Sequence, residues 1–87
     1  DATKKVFVTE WGWATNPGGM SQVDQAFNIG VAMDVYNTTT YIGAATYFTL
    51  HDNPAAGLNY GLRLADDTPK QSWGTFCTKN AGTCCAN

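Results

Sequence analysis

Two apolar segments constrain the fold of this chain more than any other feature. Residues 4–9 (KKVFVT) and 41–48 (YIGAATYF) have the length and composition of short strands that are buried on both faces. Between them, the apolar residues from position 21 to about 36 follow helical spacing. A strand, a helix and a strand at these distances predict a right-handed crossover between parallel strands. The chain is therefore expected to have an α/β fold.

Capping signals predict where the two helices begin. Ser21 is a suitable N-cap with Asp24 three residues later, and this helix is expected to run to about Tyr36. The second helix is expected to start at Thr68-Pro69-Lys70-Gln71, with Thr68 as the cap. The buried face of the first helix is predicted to be Val23, Ala26, Phe27, Gly30, Val31, Ala32 and Met33, and that of the second Trp73, Phe76 and Cys77. Residues 16–19 and 51–61 are expected to be loops because they are rich in Asn, Pro and Gly.

Two parallel strands do not make a complete domain. Strands that are buried on both faces need cover on those faces and partners at both edges. Nothing else in the 87 residues could supply that cover. Residues 1–87 are therefore expected to form a single partial domain, a β-α-β-α piece of a larger α/β sheet or barrel.

Charge and cysteine content narrow the classes of partner and compartment. The formal net charge is −2 and the five basic residues are scattered, which argues against a nucleic-acid partner. No segment is long and apolar enough to cross a bilayer, so no membrane partner is expected. A bridge from Cys77 to Cys84 or Cys85, together with the glycosylation triplet at Asn37, favours a secreted, extracellular protein. No cofactor or metal is expected, because the cysteines lack further ligands nearby in the sequence.

The carboxyl ends of the two predicted strands carry the residues best suited to chemistry. Ligand sites of parallel α/β sheets gather at these ends. Alternation along the first strand places Glu10 on the same face as Val6 and Val8. The candidate residues at the two ends are Glu10, Trp11, Trp13, Tyr47, Phe48, His51 and Asp52. If the strands are neighbours, these residues share one rim.

Several of these segments resemble a known family. Residues 9–13 (TEWGW) resemble the end of the seventh strand in retaining β-glycosidases of the (β/α)8-barrel, cellulase-like superfamily (clan A), where a Thr/Ser-Glu-aromatic-Gly-Trp run carries the catalytic nucleophile. Residues 47–52 (YFTLHD) resemble the eighth strand, and 59–62 (NYGL) with 66–70 (DDTPK) resemble the segment before the last helix. The resemblance spans about residues 5–76. It implies that the chain is the C-terminal quarter of a TIM barrel, with its seventh and eighth βα units.

The resemblance also implies an activity, hydrolysis of β-linked glycans. Glu10 would be the nucleophile that forms a glycosyl-enzyme intermediate. Trp11, Trp13, Tyr47, Phe48, His51 and Asp52 would bind the substrate. The mechanism needs a second carboxyl group roughly 5–5.5 Å away, which the family carries on a glutamate of its fourth strand. Glu10 is the only glutamate of this chain.

The missing second carboxyl group is compatible with several interpretations of the function. The chain is expected to be a glycoside hydrolase that is inactive as an isolated 87-residue monomer. A longer chain or self-association would supply the missing strands, and four two-stranded units would be enough for an eight-stranded barrel. One alternative is a non-catalytic fragment that binds saccharide weakly through Trp11, Trp13 and Tyr60. Another is a small cysteine-stapled scaffold, which would unfold when its cysteines are reduced.

Overall fold

The computed structural model describes residues 4–15 and 18–80. The elements are β1 (Val6–Trp11), α1 (Gln22–Thr38), β2 (Ile42–Tyr47), a 3-10 turn (Pro54–Ala56) and α2 (Gln71–Lys79). β1 and β2 are neighbours in one parallel sheet. The predicted α/β fold of two parallel strands and two helices, in this order, is confirmed. Within the predicted loop at 16–19, Asn16 and Pro17 lie outside the described residues.

β1 lies two residues further along the chain than the sequence predicted. It runs from Val6 to Trp11, and Trp11 pairs with Tyr47 of β2. The Phe48 N–H donates to the Trp11 carbonyl at 2.8 Å, so contact between the two segments continues past the end of β2. Glu10 is therefore part of the paired strand rather than the residue that follows it.

Burial of both strand faces was predicted, and the described residues do not provide it. Val6 is 52% exposed and Phe7 64% exposed. α1 packs chiefly against α2 and contacts β2 only slightly. The described elements therefore leave much of the sheet uncovered.

The start of α1 follows the predicted capping chemistry. The Ser21 hydroxyl accepts a hydrogen bond from the Asp24 N–H at 3.1 Å, which confirms Ser21 as the N-cap. The helix continues to Thr38, two residues past the predicted end at Tyr36. In this last turn the Thr38 hydroxyl donates to the Asp34 carbonyl at 2.8 Å, and Thr39 is the extended C-cap.

The buried face of α1 is narrower than its apolar stripe. The buried residues are Gln25, Ala26, Ile29, Gly30 and Met33. The prediction was wrong for Val23, Phe27 and Val31, which are 58%, 69% and 49% exposed. Only one side of the helix meets α2 and the core, so the rest of the stripe does not pack against the described residues.

α2 begins later than predicted, and Thr68 is not its cap. The helix starts at Gln71 with Lys70 as the N-cap. The preceding residues are extended because they pair with residues 62–64. The Lys70 N–H donates to the Leu62 carbonyl at 3.0 Å, and the Leu64 N–H donates to the Thr68 carbonyl at 2.8 Å. Because these backbone groups are paired with residues 62–64, they do not form the predicted first turn of α2.

The core lies between the two helices and the loop that precedes α2. It is built on Ile29, Met33 and Leu62, with Trp11, Trp13, Tyr47, Trp73 and Phe76 partly buried around them. Cys77 on the inner face of α2 is fully buried and disulfide-bonded, while Cys84 and Cys85 lie outside the described residues. Within residues 4–15 and 18–80, no helix has the length and hydrophobicity that crossing a bilayer requires.

Candidate functional site

A cleft of about 310 Å³ lies where β1 and β2 end. Its lining residues are Glu10, Trp11, Gly12, Phe48, Leu58 and Tyr60. The rings of Phe48 and Tyr60 meet edge to face, with centroids 5.8 Å apart. The cleft thus combines one carboxylate with aromatic and apolar walls. Such a combination of an apolar surface and few polar groups is typical of small-ligand sites.

Glu10 supplies the only acidic group among the described residues that line this cleft. Its side chain is exposed. No residue in the described part of the chain forms a hydrogen bond or an ion pair with its carboxylate. Both carboxylate oxygens are therefore available to a ligand.

Gly12 lets the two strand ends approach closely. A Cβ atom at this position would lie 2.6 Å from the Phe48 carbonyl oxygen and 3.2 Å from the Tyr47 ring. Any side chain here would push the ends of β1 and β2 apart. Glycine therefore keeps Glu10 and Phe48 on the same small cleft.

Trp11 borders the cleft but contributes most of its ring to the core. Its indole packs edge-on against Tyr36 at 5.1 Å and Tyr47 at 4.9 Å, measured between ring centroids. The indole nitrogen is buried and has no hydrogen-bond partner among the described residues. Trp11 thus anchors β1 to the aromatic core and presents only part of its surface to a ligand.

Trp13 and Tyr47, two further predicted substrate contacts, do not line the cleft. Trp13 packs against the core. The Tyr47 hydroxyl donates to the Tyr60 carbonyl oxygen at 2.8 Å. Burial raises the pKa of Tyr47 to about 12, so this hydroxyl stays protonated and acts as a donor near neutral pH. Tyr47 is therefore connected to the cleft through its hydrogen bond to the Tyr60 backbone.

Asp52 is also outside the cleft lining and forms an ion pair with Lys70. Its Oδ1 atom lies 2.7 Å from the Lys70 Nζ, and the two side chains are 8% and 0% exposed. The same oxygen accepts a hydrogen bond from the Gly61 N–H at 2.8 Å. Asp52 thus connects the start of α2 to the segment that carries Tyr60.

His51 belongs to a surface cluster that is separate from the cleft lining. Its Nε2 lies 2.7 Å from the Asp67 Oδ1. The Arg63 Nε donates to the same oxygen at 2.8 Å, and the Arg63 guanidinium lies 4.9 Å from the centre of the Trp73 ring. Hydrogen bonds from His51 and then Arg63 hold the pKa of Asp67 below its ordinary value.

Two wall residues, Leu58 and Tyr60, were not placed at the rim by the strand-end argument. Sequence reasoning considered Tyr60 only as a weak saccharide contact and did not consider Leu58. A turn brings both back to β1: the Leu58 N–H donates to the Asn53 carbonyl at 3.0 Å. The Thr15 N–H then donates to the Asn59 carbonyl at 3.0 Å. The only sequence feature that pointed to this turn was the segment at residues 59–62 (NYGL).

A larger cavity of about 430 Å³ lies between β2 and the helices. Trp11, Tyr36 and Phe76 are among its lining residues, and none of the described residues that border it is charged. In the part of the chain that the structure describes, no group of three His, Cys, Asp or Glu side chains could hold a metal ion. Unlike this larger cavity, the cleft at Glu10 combines a carboxylate with more than one aromatic wall.

Comparisons with protein-family models, with curated proteins and with solved structures found no match for this chain.

Proposed function

We propose that this chain is the nucleophile-bearing part of a retaining glycoside hydrolase that acts on β-linked glycans. The observation that supports this function is the position of Glu10, whose carboxylate borders a cleft walled by Phe48 and Tyr60. Aromatic rings pack well against flat apolar surfaces, which pyranose rings present along their C–H faces. A carboxylate beside such walls is suitably placed to attack the anomeric carbon of a bound sugar.

The proposed chemistry has two steps. A Glu10 oxygen attacks the anomeric carbon, the bond to the leaving oxygen breaks, and a glycosyl ester forms. Water then attacks the same carbon and releases Glu10 as a carboxylate. A second carboxyl group must protonate the leaving oxygen and then activate the water. Among the described residues no other acidic side chain lines the cleft, and in this proposal a neighbouring strand supplies the second group.

The open sheet supports a place in a larger (β/α)8 barrel. β1 and β2 are parallel neighbours with exposed apolar residues on their faces. The missing strands would come from a longer chain or from further copies of this one. The disulfide at Cys77 favours an oxidising compartment, which is consistent with secretion.

An activated trapping reagent tests Glu10 without the missing acid. A dinitrophenyl 2-deoxy-2-fluoro-β-glycoside has a leaving group that departs without protonation, and its glycosyl ester is hydrolysed slowly. We expect intact-mass and peptide mass spectrometry to show one added fluoroglycosyl group, located on Glu10. The Glu10→Gln variant should gain none. Asp34→Asn, which alters an exposed acid paired with Lys79, should react like the parent chain.

A second candidate function is saccharide binding without catalysis. It is favoured by one observation: the described residues that line the cleft include no second acidic side chain. Binding of a β-linked oligosaccharide without an adduct on Glu10 would support this candidate and refute the nucleophile assignment. If the chain neither reacts nor binds, both proposals are wrong.

A further inference from the structure

We propose that Tyr60 is the principal sugar-binding ring beside Glu10, and that Gln25 and Tyr47 are positioning residues that hold it there. The pyranose ligand in this proposal rests on the proposed function. The roles of the three residues rest on contacts within the chain. Tyr60 lines the cleft with Glu10, whereas Gln25 and Tyr47 do not.

The backbone at Tyr60 and Gly61 is fixed from three sides. The Tyr60 carbonyl accepts the Tyr47 hydroxyl at 2.8 Å. The Gly61 carbonyl accepts the Gln25 Nε2 at 3.3 Å, and the Gly61 N–H donates to the Asp52 Oδ1 at 2.8 Å. These side chains come from β2, from α1 and from the loop after β2. A loop with this support holds the Tyr60 ring at a fixed distance from the end of β1.

Gly61 allows this close support. A Cβ atom at position 61 would lie 2.6 Å from the Arg63 carbonyl oxygen and 2.5 Å from the His51 carbonyl carbon. Any side chain there would displace the loop, and Tyr60 with it. The fixed position of Tyr60 thus depends on backbone packing as well as on hydrogen bonds.

Gln25 is the polar residue that the apolar pattern of α1 does not explain. It is fully buried, and burying an amide is costly unless it forms hydrogen bonds. Its Nε2 donates to the Trp13 carbonyl at 2.9 Å and lies 3.4 Å from the Tyr47 hydroxyl oxygen. A single amide therefore joins the segment after β1 to the segment that carries Tyr60. This connection fixes the two walls of the cleft relative to each other.

Saccharide binding by single and double variants tests the proposal. Cellotetraose and laminaritetraose would be titrated into the chain, and dissociation constants measured from amide and indole NMR shifts. Tyr60→Leu should weaken binding roughly tenfold, about 1.4 kcal/mol. Tyr60→Phe keeps the ring face and should bind within about twofold of the parent chain, a difference of about 0.4 kcal/mol. Tyr36→Phe, which removes a hydroxyl outside the cleft lining, is the matched control and should change nothing.

The positioning role predicts non-additive effects. Tyr47→Phe keeps its ring but loses the bond to the Tyr60 carbonyl, so it should weaken binding about threefold to fivefold. In the Tyr60→Leu background the same change should have no further effect, because Tyr47 acts through the Tyr60 ring. A purely structural role would leave the Tyr47→Phe penalty unchanged in both backgrounds. If Tyr60→Leu does not fold, an unchanged dissociation constant in Tyr47→Phe, compared with Tyr36→Phe, would still contradict the positioning role.

The outcomes separate this inference from the proposed function. Equal binding by the parent chain and Tyr60→Leu, or no binding of either tetrasaccharide by the parent chain, would overturn the inference. A fluoroglycosyl adduct on Glu10 that forms equally well in Tyr60→Leu would leave the nucleophile assignment standing while overturning the role of Tyr60. Tyr60-dependent binding without any adduct would support the inference and refute the nucleophile.

Discussion

At the scale of single residues, the ion pair between Lys70 and Asp52 is the polar contact whose disruption should destabilise the chain most. The Lys70 ammonium is buried, and besides Asp52 it donates to the Thr15 hydroxyl at 2.8 Å. Each charge is thereby compensated inside the protein. A buried ion pair adds little net stability over an apolar pair of similar volume, but removing one partner leaves an uncompensated charge.

Breaking this pair should destabilise the chain far more than breaking a surface pair. We expect Lys70→Met or Asp52→Asn to lower the free energy of unfolding by about 3–5 kcal/mol, measured by urea denaturation. The double variant should lose less unfolding free energy than the sum of the losses in the two single variants. Lys79→Met is the matched control, since it breaks an exposed pair with Asp34 and should cost at most about 1 kcal/mol. Equal losses of unfolding free energy in Lys70→Met and Lys79→Met would contradict this prediction.

Asp67 gives the surface cluster a defined pH dependence. Its pKa is held below the ordinary value of 3.8, first by the hydrogen bond with His51 and then by Arg63. A lowered pKa means that the stabilisation is fully present above the ordinary value and is lost as the pH falls through the lower, folded-state value. The stabilisation that comes from Asp67 should therefore be lost in acid, as the pH falls below 3.8.

Carboxyl NMR titration can test the contribution of His51. In His51→Ala the pKa of Asp67 should rise towards its ordinary value. The neighbouring Asp66 is an internal control, because hydrogen bonds from Thr68 lower its pKa and His51 is not among the causes. An unchanged Asp67 titration in His51→Ala would show that Arg63 alone controls this carboxyl group.

At the scale of elements, local chemistry could be predicted and long-range pairing could not. Ser21 caps α1 through a bond to Asp24, three residues away, so sequence alone revealed it. Thr68 carries an equally good local signal, yet its carbonyl accepts from the Leu64 N–H and the segment is extended. The competing partner lies outside the window in which a capping pattern is read. Tertiary pairing therefore overrode the local helix signal at α2.

The same distinction explains which parts of the candidate site were foreseen. Glu10 and Phe48 lie at strand ends, and the crossover topology brings those ends together. Tyr60 reaches the cleft only because a turn after β2 folds back, and Gln25 supports it from the buried face of α1. Neither contact leaves a periodic signal in the sequence. The pattern thus indicated the acid and one wall, and the structure added the other wall and its support.

At the scale of the whole molecule, several large apolar side chains lie on the surface of the described residues. β1 exposes Val6 and Phe7, and α1 exposes Phe27 at 69%. A two-stranded sheet is marginally stable alone, and its free edges can pair with another chain. The described elements therefore leave exposed apolar side chains and free sheet edges, and both favour association with another chain.

We expect the purified chain to self-associate, with a weight-average mass above 9.3 kDa that rises with concentration in light scattering. Phe7→Lys should lower that mass, because a charged side chain on an exposed strand opposes pairing and apolar contact. Thr78→Lys adds the same charge at an exposed position of α2 and should leave the mass unchanged. A constant 9.3 kDa for the parent chain would contradict the prediction. It would also mean that the open sheet is stable without neighbouring strands, which would weaken the argument for a larger barrel.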